Sequence, residues 1–463
     1  MKDGKVAKAT AWYLVSSFLL KGVGLITTPI FARILTKEEY GLFNNFSFWL
    51  GIITIIATLS LSASLMRARF DFQDDLFSYI SSILLLGSLF TILVGGGLWL
   101  NITRVTSLFS LEKKYILILL LYVLTSPAYE MFLTVQRFNY RYKVFVTLSI
   151  STTVASILLS FLFIGLMEDH LLGRVLGAYL PNFLVSCILY GWFLYKGKSI
   201  RLSHWSYALP VALPYAFHLL SGNLLSSSDR AMITKICGAE STALYSMAYS
   251  IAATVSIVWN SLNNAFSPWL GEMLNEKKYD RIRKYSYGYV GVFSFLILGV
   301  MLAAPEILLF MGGKPYLEAQ NAIPPVIAGY FFIFIYSMYV NVEQYEKKTL
   351  GMAVATGLAA LFNIVTNALF IPRYGYLAAA YTTLAGYIFL FLAHYFLVRR
   401  LGLHRIYPTS YLIMIAFFVL VATFGSLMLY SSILIRYCIL LLYIVIGCAF
   451  LRKKGKMIQN YFR

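Results

Sequence analysis

This sequence contains few charged residues, very few acidic ones, and no long polar segment. Of its 463 residues, 12% are charged and 60% are hydrophobic, whereas soluble domains hold about 25% charged and about 45–50% apolar residues. No soluble core could bury so many apolar side chains, so a soluble globular protein is excluded. The polar stretches between apolar runs reach only about 20 residues, and no Walker A sequence occurs. We therefore expect an integral membrane protein that cannot hydrolyse ATP.

Cysteine is also scarce. The four cysteines lie in or beside apolar runs, without the CxxC spacing or the nearby histidines that are typical of metal sites. We expect them to pack between helices, and we expect no metal and no cofactor. The four are Cys187, Cys237, Cys438 and Cys448.

The few charges are mostly basic. An excess of 38 Lys and Arg over 19 Asp and Glu gives a formal charge of +19, which in a soluble chain would suggest nucleic acid. Here most cations lie in short clusters between apolar runs, where they orient the chain and contact anionic lipids. We therefore expect membrane lipids as partners and no nucleic acid.

Apolar segments long enough to cross about 30 Å of hydrocarbon recur along the whole chain. We count about fourteen, of which the last two could instead form a re-entrant pair. If the first is an uncleaved helix that starts in the cytoplasm, about 26 of the 38 Lys and Arg lie on the cytoplasmic side, which predicts both termini inside. The sequence thus predicts an all-α, multi-pass protein of the plasma (inner) membrane. The segments are 10–33, 42–66, 77–101, 115–136, 144–167, 171–195, 209–233, 243–270, 286–311, 322–343, 350–371, 376–398, 408–430 and 433–451.

A repeat indicates two lobes. When the chain is shifted by 202 positions, residues 38–43 fall on residues 240–245, and Gly173 falls on Gly375. Both halves begin on the same side, so the repeats are parallel and related by an axis along the membrane normal, an arrangement typical of transporters. We predict two six-helix lobes followed by two additional helices with a basic cytoplasmic tail. Their ranges are 1–200, 201–402 and 403–463.

Cations within the spans, or at their ends, are candidates for binding an anion. Lys21 lies mid-span, too far from either end to reach water easily, so we expect it to face a wet cavity or an anion rather than a structural partner. Arg33 and Lys235 are equivalent in the repeat and suit either a symmetric anion-binding vestibule or two interfacial helix ends. Arg67 either meets an anionic head group or anchors its helix.

Carboxylates within the spans form a second group. Asp229 and Arg230 are neighbours in the seventh span, and adjacent residues point about 100° apart on a helix, so we expect at least one of them to face the cavity. Glu130 and Glu343 are predicted to be buried carboxylates. Each would either couple transport to protons or serve as a hydrogen-bonded structural acid.

Small polar residues are frequent in spans seven and eight. Their amides would either line a polar cavity or hold neighbouring helices together. His218 and His394 are expected to be hydrogen-bonded core residues. The amides are Asn223, Asn260, Asn263 and Asn264.

Several passages resemble the polysaccharide-transporter branch of the multidrug/oligosaccharidyl-lipid/polysaccharide (MOP) flippase superfamily. Residues 34–43 (ILTKEEYGLF) are similar to that family's usual entry to its second span. Residues 228–230 with 243–249, and residues 363–381, add to the resemblance, which covers essentially the whole chain. It implies two six-helix bundles in a V shape plus two extra helices, as in the similar lipid II flippases.

The resemblance also implies a function. Such proteins move a polyprenyl-(pyro)phosphate-linked oligosaccharide, the repeat unit of a surface polysaccharide, from the inner to the outer leaflet by alternating access. The partner is then a lipid-linked glycan, with glycosyltransferases and a glycan polymerase as further candidates. Cations in the central cavity hold the pyrophosphate in these proteins, and Lys21, Arg33, Arg230 and Lys235 suit that role. Lys21 does so by its mid-span position, not by a family motif.

Three other interpretations remain open, and one of them is a lipid II flippase proper, which would have the same fold. A MATE-type multidrug or ion exporter of the same superfamily usually moves cations and needs an acidic cavity, which the cation Lys21 disfavours. A membrane glycosyltransferase or polymerase usually has acidic catalytic motifs or a long outer loop, and the sequence has neither. We therefore expect a protein that is not an enzyme, without catalytic residues.

Overall fold

The computed structural model describes residues 2–346 and 348–461, with fewer side chains described near the two ends. Over these residues the chain forms seventeen α-helices and no strand. Short 3₁₀ segments occupy Leu61–Ser64, Gln73–Asp75, Lys314–Ala322 and His404–Ile406. The helices are α1 (Lys2–Ile34), α2 (Lys37–Thr58), α3 (Leu65–Asp71), α4 (Leu76–Leu100), α5 (Ile102–Phe109), α6 (Lys113–Phe138), α7 (Tyr142–Leu166), α8 (His170–Gly197), α9 (Leu202–Cys237), α10 (Ala239–Asn275), α11 (Tyr279–Leu302), α12 (Ala304–Gly312), α13 (Ile323–Tyr345), α14 (Thr349–Tyr374), α15 (Tyr376–Arg400), α16 (Thr409–Leu429) and α17 (Ile433–Tyr461).

Twelve helices in the described part of the chain are long and apolar enough to cross a membrane. The first and the last long helices, α1 and α17, each contain a shorter apolar stretch, at Gly22–Ile34 and Ile433–Gly447. Together these account for the roughly fourteen expected spans. The predicted all-α polytopic membrane fold is confirmed.

Local sequence signals set the helix ends. Thr36 caps α2, because its hydroxyl accepts a hydrogen bond from the Glu39 amide while the Glu39 carboxylate accepts one from the Thr36 amide at 2.8 Å. This reciprocal capping box, with Glu38 also in the first turn, favours a helix start at Lys37. Polar residues therefore extend α2 beyond its apolar stretch.

One compact unit comprises Met1–Ser246 and Thr356–Ala379. Within it, α7 and α8 pack tightly because a Cβ at Gly173 would lie 2.8 Å from the backbone of Phe163 and a Cβ at Gly177 would overlap the backbone of Ser160. Such small residues allow helix backbones to approach closely in membranes. The α9 helix packs against α2 in the same unit.

The other compact unit comprises Met247–Ala355 and Ala380–Arg463. It includes the two additional helices, which are well integrated, since α16 packs on α11 and α13. The Arg436 guanidinium of α17 is buried and forms a two-pronged ion pair with Glu306 of α12, with one N–O distance of 2.9 Å. The predicted lobe boundaries follow the repeat rather than these contacts and stay a prediction.

Candidate functional site

Asp229 is a fully buried carboxylate in α9. The Tyr245 hydroxyl of α10 donates a hydrogen bond to its Oδ2 atom, and the Arg230 backbone amide donates to its Oδ1 atom at 2.9 Å. Tyr245 is itself fully buried. A buried carboxylate is costly unless donors satisfy it, and here donors from two helices do so.

Arg230, the next residue, is half-buried. Its carbonyl oxygen accepts hydrogen bonds from the hydroxyls of Thr234 at 2.7 Å and Thr242 at 3.4 Å, and these two hydroxyls lie 2.7 Å apart. The backbone that carries Arg230 is thus fixed by contacts between α9 and α10. Because Asp229 is fully buried, Arg230 is the more accessible of these two neighbouring residues.

Lys235 is exposed in the last turn of α9. Its Nζ atom donates to the Ser107 carbonyl oxygen at 2.7 Å, in the last turn of α5. A cation at a helix C-terminus is favourable, because the last carbonyl groups carry partial negative charge. Arg33, its repeat equivalent, is likewise exposed and in the last turn of α1.

Lys21 and Arg67 are the other two cations predicted to bind an anion, and the structure describes only the side chain of Arg67. The side chain of Lys21 lies outside the described side chains, although its backbone belongs to α1. Arg67 lies on α3 with a side chain that is 77% exposed, and its Nε atom is 3.4 Å from the Asp71 carboxylate. Arg67 is therefore separate in sequence and in setting from the cluster on α9.

The expectation that Glu130 is buried is wrong. Glu130 is exposed, and its Oε1 atom accepts a hydrogen bond from the Ser62 hydroxyl at 2.8 Å. Its neighbours Ala128 and Met131 point into the core instead. Hydropathy gives the depth of a residue in a span but not the side of the helix on which it lies, and this is why the expectation failed.

Glu343 of α13 is buried as predicted, and it has a partner. Its Oε1 atom lies 2.9 Å from Nδ1 of His394 on α15, and both side chains are 1% exposed. The second carboxylate oxygen is also buried, and among the side chains that the structure describes it has no hydrogen-bond partner. The expectation for His394 is confirmed, whereas His218 is exposed, because α9 turns Ala216 rather than His218 into the core.

The asparagine amides divide between the two expected roles. Asn263 accepts a hydrogen bond from the Asn341 amide at 2.9 Å and so joins α10 to α13. Asn260 donates to the Ser256 carbonyl of its own helix, and Asn264 is exposed. Asn223 faces α2, where a Cβ on Gly51 would lie 3.0 Å from its Nδ2 atom.

Arg174 of α8 is a half-buried cation that the sequence analysis missed. Its guanidinium lies 3.7 Å above the ring of Phe31 and 4.4 Å from that of Phe43, and it donates to the Ser160 hydroxyl at 2.7 Å. Aromatic faces attract cations, so Arg174 joins four helices. Its place between Gly173 and Gly177, in a stretch of small residues, is the signal that marks a close helix contact.

Asp169 organises the junction before α8. Its carboxylate accepts hydrogen bonds from Lys114 at 2.6 Å, the Leu172 amide at 2.8 Å and the Tyr115 hydroxyl at 3.1 Å. Partial burial raises the pKa of Asp169, but these donors outweigh it and hold the pKa below its ordinary value. This junction is structural.

The candidate site is thus the part of α9 that carries Asn223, Asp229, Arg230 and Lys235. Asn223 and Arg230 lie on one side of α9, whereas Lys235 lies about 140° around the helix from Arg230. The Asp229 carboxylate is already satisfied by Tyr245. Guanidinium and ammonium groups bind phosphate oxygens, and amides bind hydroxyl groups. Such a surface suits an anion that bears polar substituents.

Comparison with known proteins identifies similar families. A family model described as polysaccharide biosynthesis protein matches residues 6–274, and one described as MatE matches residues 214–369. An uncharacterised membrane protein of Methanocaldococcus jannaschii is 23% identical over 457 residues, which cover 89% of this chain and 87% of that protein.

Two solved structures share the fold. Lipid II flippase MurJ in an inward closed conformation aligns with a TM-score of 0.72 at 17% identity, covering 95% of this chain and 98% of that one. A multidrug resistance MATE family transporter of the MOP superfamily, in an inward-facing conformation, aligns with a TM-score of 0.57 at 13% identity, covering 83% and 98%.

Proposed function

We propose, from the premise that this chain belongs to the polysaccharide biosynthesis protein family, that it is a flippase for a lipid-linked oligosaccharide. Its substrate is a polyprenyl-(pyro)phosphate-linked repeat unit of a surface polysaccharide, which it moves from the inner to the outer leaflet. The observation that carries the proposal is the likeness of 95% of the chain to the fold of a lipid II flippase.

Cations on α1 and α9 hold the phosphate groups. Arg230, Lys235, Arg33 and Lys21 are assigned to this role, and Arg67 to a first encounter with the head group. A phosphate that bears a polar glycan cannot cross hydrocarbon unaided, because every lost hydrogen bond to water must be replaced. These cations and the nearby amides replace that water, while the prenyl chain stays in the lipid.

Movement uses two pseudo-symmetric lobes, 1–200 and 201–402. In support, Gly41 lies against Ala239 and its own repeat equivalent Ala243, as expected where a two-fold axis relates the repeats. The site is then exposed to each side of the membrane in turn. Residues 403–463 supply the two additional helices.

Transport is coupled to an ion gradient or to consumption of the product outside. The coupling candidates are Asp229 and Glu343, since intramembrane carboxylates usually mark ion pathways. Of these, Glu343 has a buried oxygen to which no described residue donates a hydrogen bond. The exposed Glu130 is a weaker candidate.

The protein resides in the inner membrane with both termini in the cytoplasm. There it receives its substrate from membrane glycosyltransferases and delivers it to a glycan polymerase. The chain itself is a transporter, not an enzyme.

The test is export in cells. Lys21→Ala and Arg230→Ala proteins are expected to reach the membrane in normal amounts and to fail to export glycan. Normal export by both variants would overturn the assignment of the cations. The match of residues 214–369 to the MatE model favours a multidrug exporter as the second candidate. Resistance to cationic drugs that depends on this protein, with normal glycan export in its absence, would establish that alternative.

A further inference from the structure

An open groove of about 480 Å³ lies on the first compact unit. The N-terminal part of α7 and the C-terminal part of α8 form its walls, and Phe132 of α6 contributes to its lining. Its volume falls within the range of about 300–1,000 Å³ that small-molecule sites occupy. Its lining includes none of Asp229, Arg33, Arg230 and Lys235.

Tight packing elsewhere explains the groove. Near the other ends of α7 and α8, Gly173 and Gly177 bring the two helices into backbone contact. Away from these glycines, α8 presents branched side chains such as Val185 and Leu189 to the groove.

The α7 wall of the groove carries three polar residues beside the apolar Val144 and Leu148. Lys143, Thr147 and Ser151 line it from α7, and their spacing of four places them on one face, about 6 Å apart along the helix. Lys143 is exposed and forms no ion pair with any residue that the structure describes. It lies in the first turn of α7, where a long cationic side chain meets lipid head groups.

The Thr147 hydroxyl is available to a ligand. Two later threonines of the same helix, Thr152 and Thr153, donate to the carbonyl four residues before them at 2.8 Å. Over the described residues Thr147 makes no such bond. A hydroxyl group in a membrane span that makes no hydrogen bond to its own helix is free to donate one to a ligand.

The opposite wall is apolar. It consists of Val185, Ile188 and Leu189, and Ile188 is 72% exposed. The groove thus combines a cation at its end, a free hydroxyl about one helical turn further in, and a hydrocarbon wall. These three features match the phosphate, the ester carbonyl groups and the acyl chain of a glycerophospholipid.

We propose that this groove binds one anionic glycerophospholipid. The phosphate lies at Lys143, an ester carbonyl accepts a hydrogen bond from the Thr147 hydroxyl, and an acyl chain packs against Val185 and Leu189. A prenyl phosphate would satisfy Lys143 but has no ester oxygen for Thr147. The site is independent of the proposed transport function.

Native mass spectrometry of the full-length protein in detergent tests the proposal. The probes are phosphatidylglycerol, phosphatidylcholine with the same acyl chains, and undecaprenyl phosphate. Wild-type protein is expected to retain one phosphatidylglycerol in preference to the other two. Lys143→Ala should weaken that binding about five-fold, because a membrane-surface lysine contributes about 1 kcal/mol toward an anionic lipid.

Matched variants make the result decisive. Lys113→Ala removes an exposed lysine from the first turn of α6, away from the groove, and should leave binding unchanged. Ser151→Phe should fill the groove and abolish binding while Lys143 is intact. Equal binding by the wild type and both lysine variants would overturn the proposal, as would displacement of phosphatidylglycerol by an equal amount of undecaprenyl phosphate.

Discussion

Gly41 and Ala243 occupy equivalent positions of the 202-residue repeat and touch each other. A Cβ built on Gly41 would lie 3.1 Å from the Ala243 nitrogen and would overlap the Ala239 carbonyl oxygen. The N-terminal parts of α2 and α10 therefore meet backbone to backbone. Such a contact is expected of segments that lie near the predicted two-fold axis between the repeats.

Gly41→Ala is expected to destabilise the protein by about 1–3 kcal/mol, because the added methyl group meets backbone that must move as a whole. Thermal unfolding in detergent, followed by size-exclusion chromatography, measures this loss. Gly191→Ala is the control, since a Cβ there has nothing within 4 Å, and it should not lower the unfolding temperature. Equal unfolding temperatures for the two variants would contradict the close contact.

The buried Glu343–His394 pair predicts different effects for two substitutions. Glu343→Ala should lower stability by about 1–3 kcal/mol, because His394 loses its partner in a dry environment. Glu343→Gln keeps a group that can bond to the imidazole, so it should preserve folding. If Glu343 couples transport, the Gln variant also loses the response of transport to an imposed pH gradient.

The same thermal measurement separates the two Glu343 variants, and proteoliposomes with and without a pH gradient report coupling. Glu346 is a half-buried residue just after the end of α13. Glu346→Gln is the control and should behave as the wild type. A Gln variant that still responds fully to the gradient would leave Glu343 with a structural role alone.

Asp169 predicts a pH dependence of stability. Its pKa in the folded protein is below the ordinary value of about 4, so the folded state binds this proton less readily than the unfolded state. The stabilisation is therefore complete above the ordinary pKa and is lost as the pH falls through the lowered one. Unfolding temperatures of the wild type and Asp169→Asn should differ at pH 7 and converge towards pH 3. Glu168 is the exposed neighbour, and Glu168→Gln should have the unfolding temperature of the wild type at every pH. A difference between the wild type and Asp169→Asn that stays constant with pH would refute the role of the Asp169 carboxylate.

The Arg436–Glu306 ion pair predicts that the stable packing of α17 depends on its contact with α12. Arg436 is 4% exposed at its side chain and Glu306 is 35% exposed, so Arg436→Ala should cost roughly 2 kcal/mol, below the ~3–5 kcal/mol of a fully buried pair. Limited proteolysis of the loop before α17, Tyr430 to Ser432, should then accelerate. Arg281→Ala, an exposed cation, should leave the cleavage rate as in the wild type.

Hydropathy predicted the helices well but placed several ends too early or too late. The second span was expected at 42–66, whereas α2 is Lys37–Thr58, because the capping box of Thr36 and Glu39 extends the helix into polar sequence. The α9 helix likewise starts at Leu202 rather than at 209, without a side-chain cap from its N-cap residue Arg201. An apolar window detects the part of a helix in lipid and not its polar ends.

Side-chain environments were less predictable. Asp229 and Glu343 are recognisable from the sequence as membrane-embedded carboxylates, but their hydrogen-bond partners Tyr245 and His394 come from other helices. Glu130 has a similar sequence setting and is exposed. A single sequence gives depth along a span, while the facing direction depends on which helices pack together.

Flipping by the purified protein tests the central claim most directly. Liposomes that contain the wild-type protein and a fluorescent polyprenyl-diphosphate oligosaccharide receive a quencher that cannot cross the membrane. We predict that lipid from the inner leaflet becomes quenchable much faster than in protein-free liposomes. Arg230→Ala should slow this step roughly tenfold or more, since a charge-assisted hydrogen bond contributes about 1.5–3 kcal/mol. Quenching at the protein-free rate, in liposomes whose wild-type protein still accumulates a cationic dye, would contradict the account.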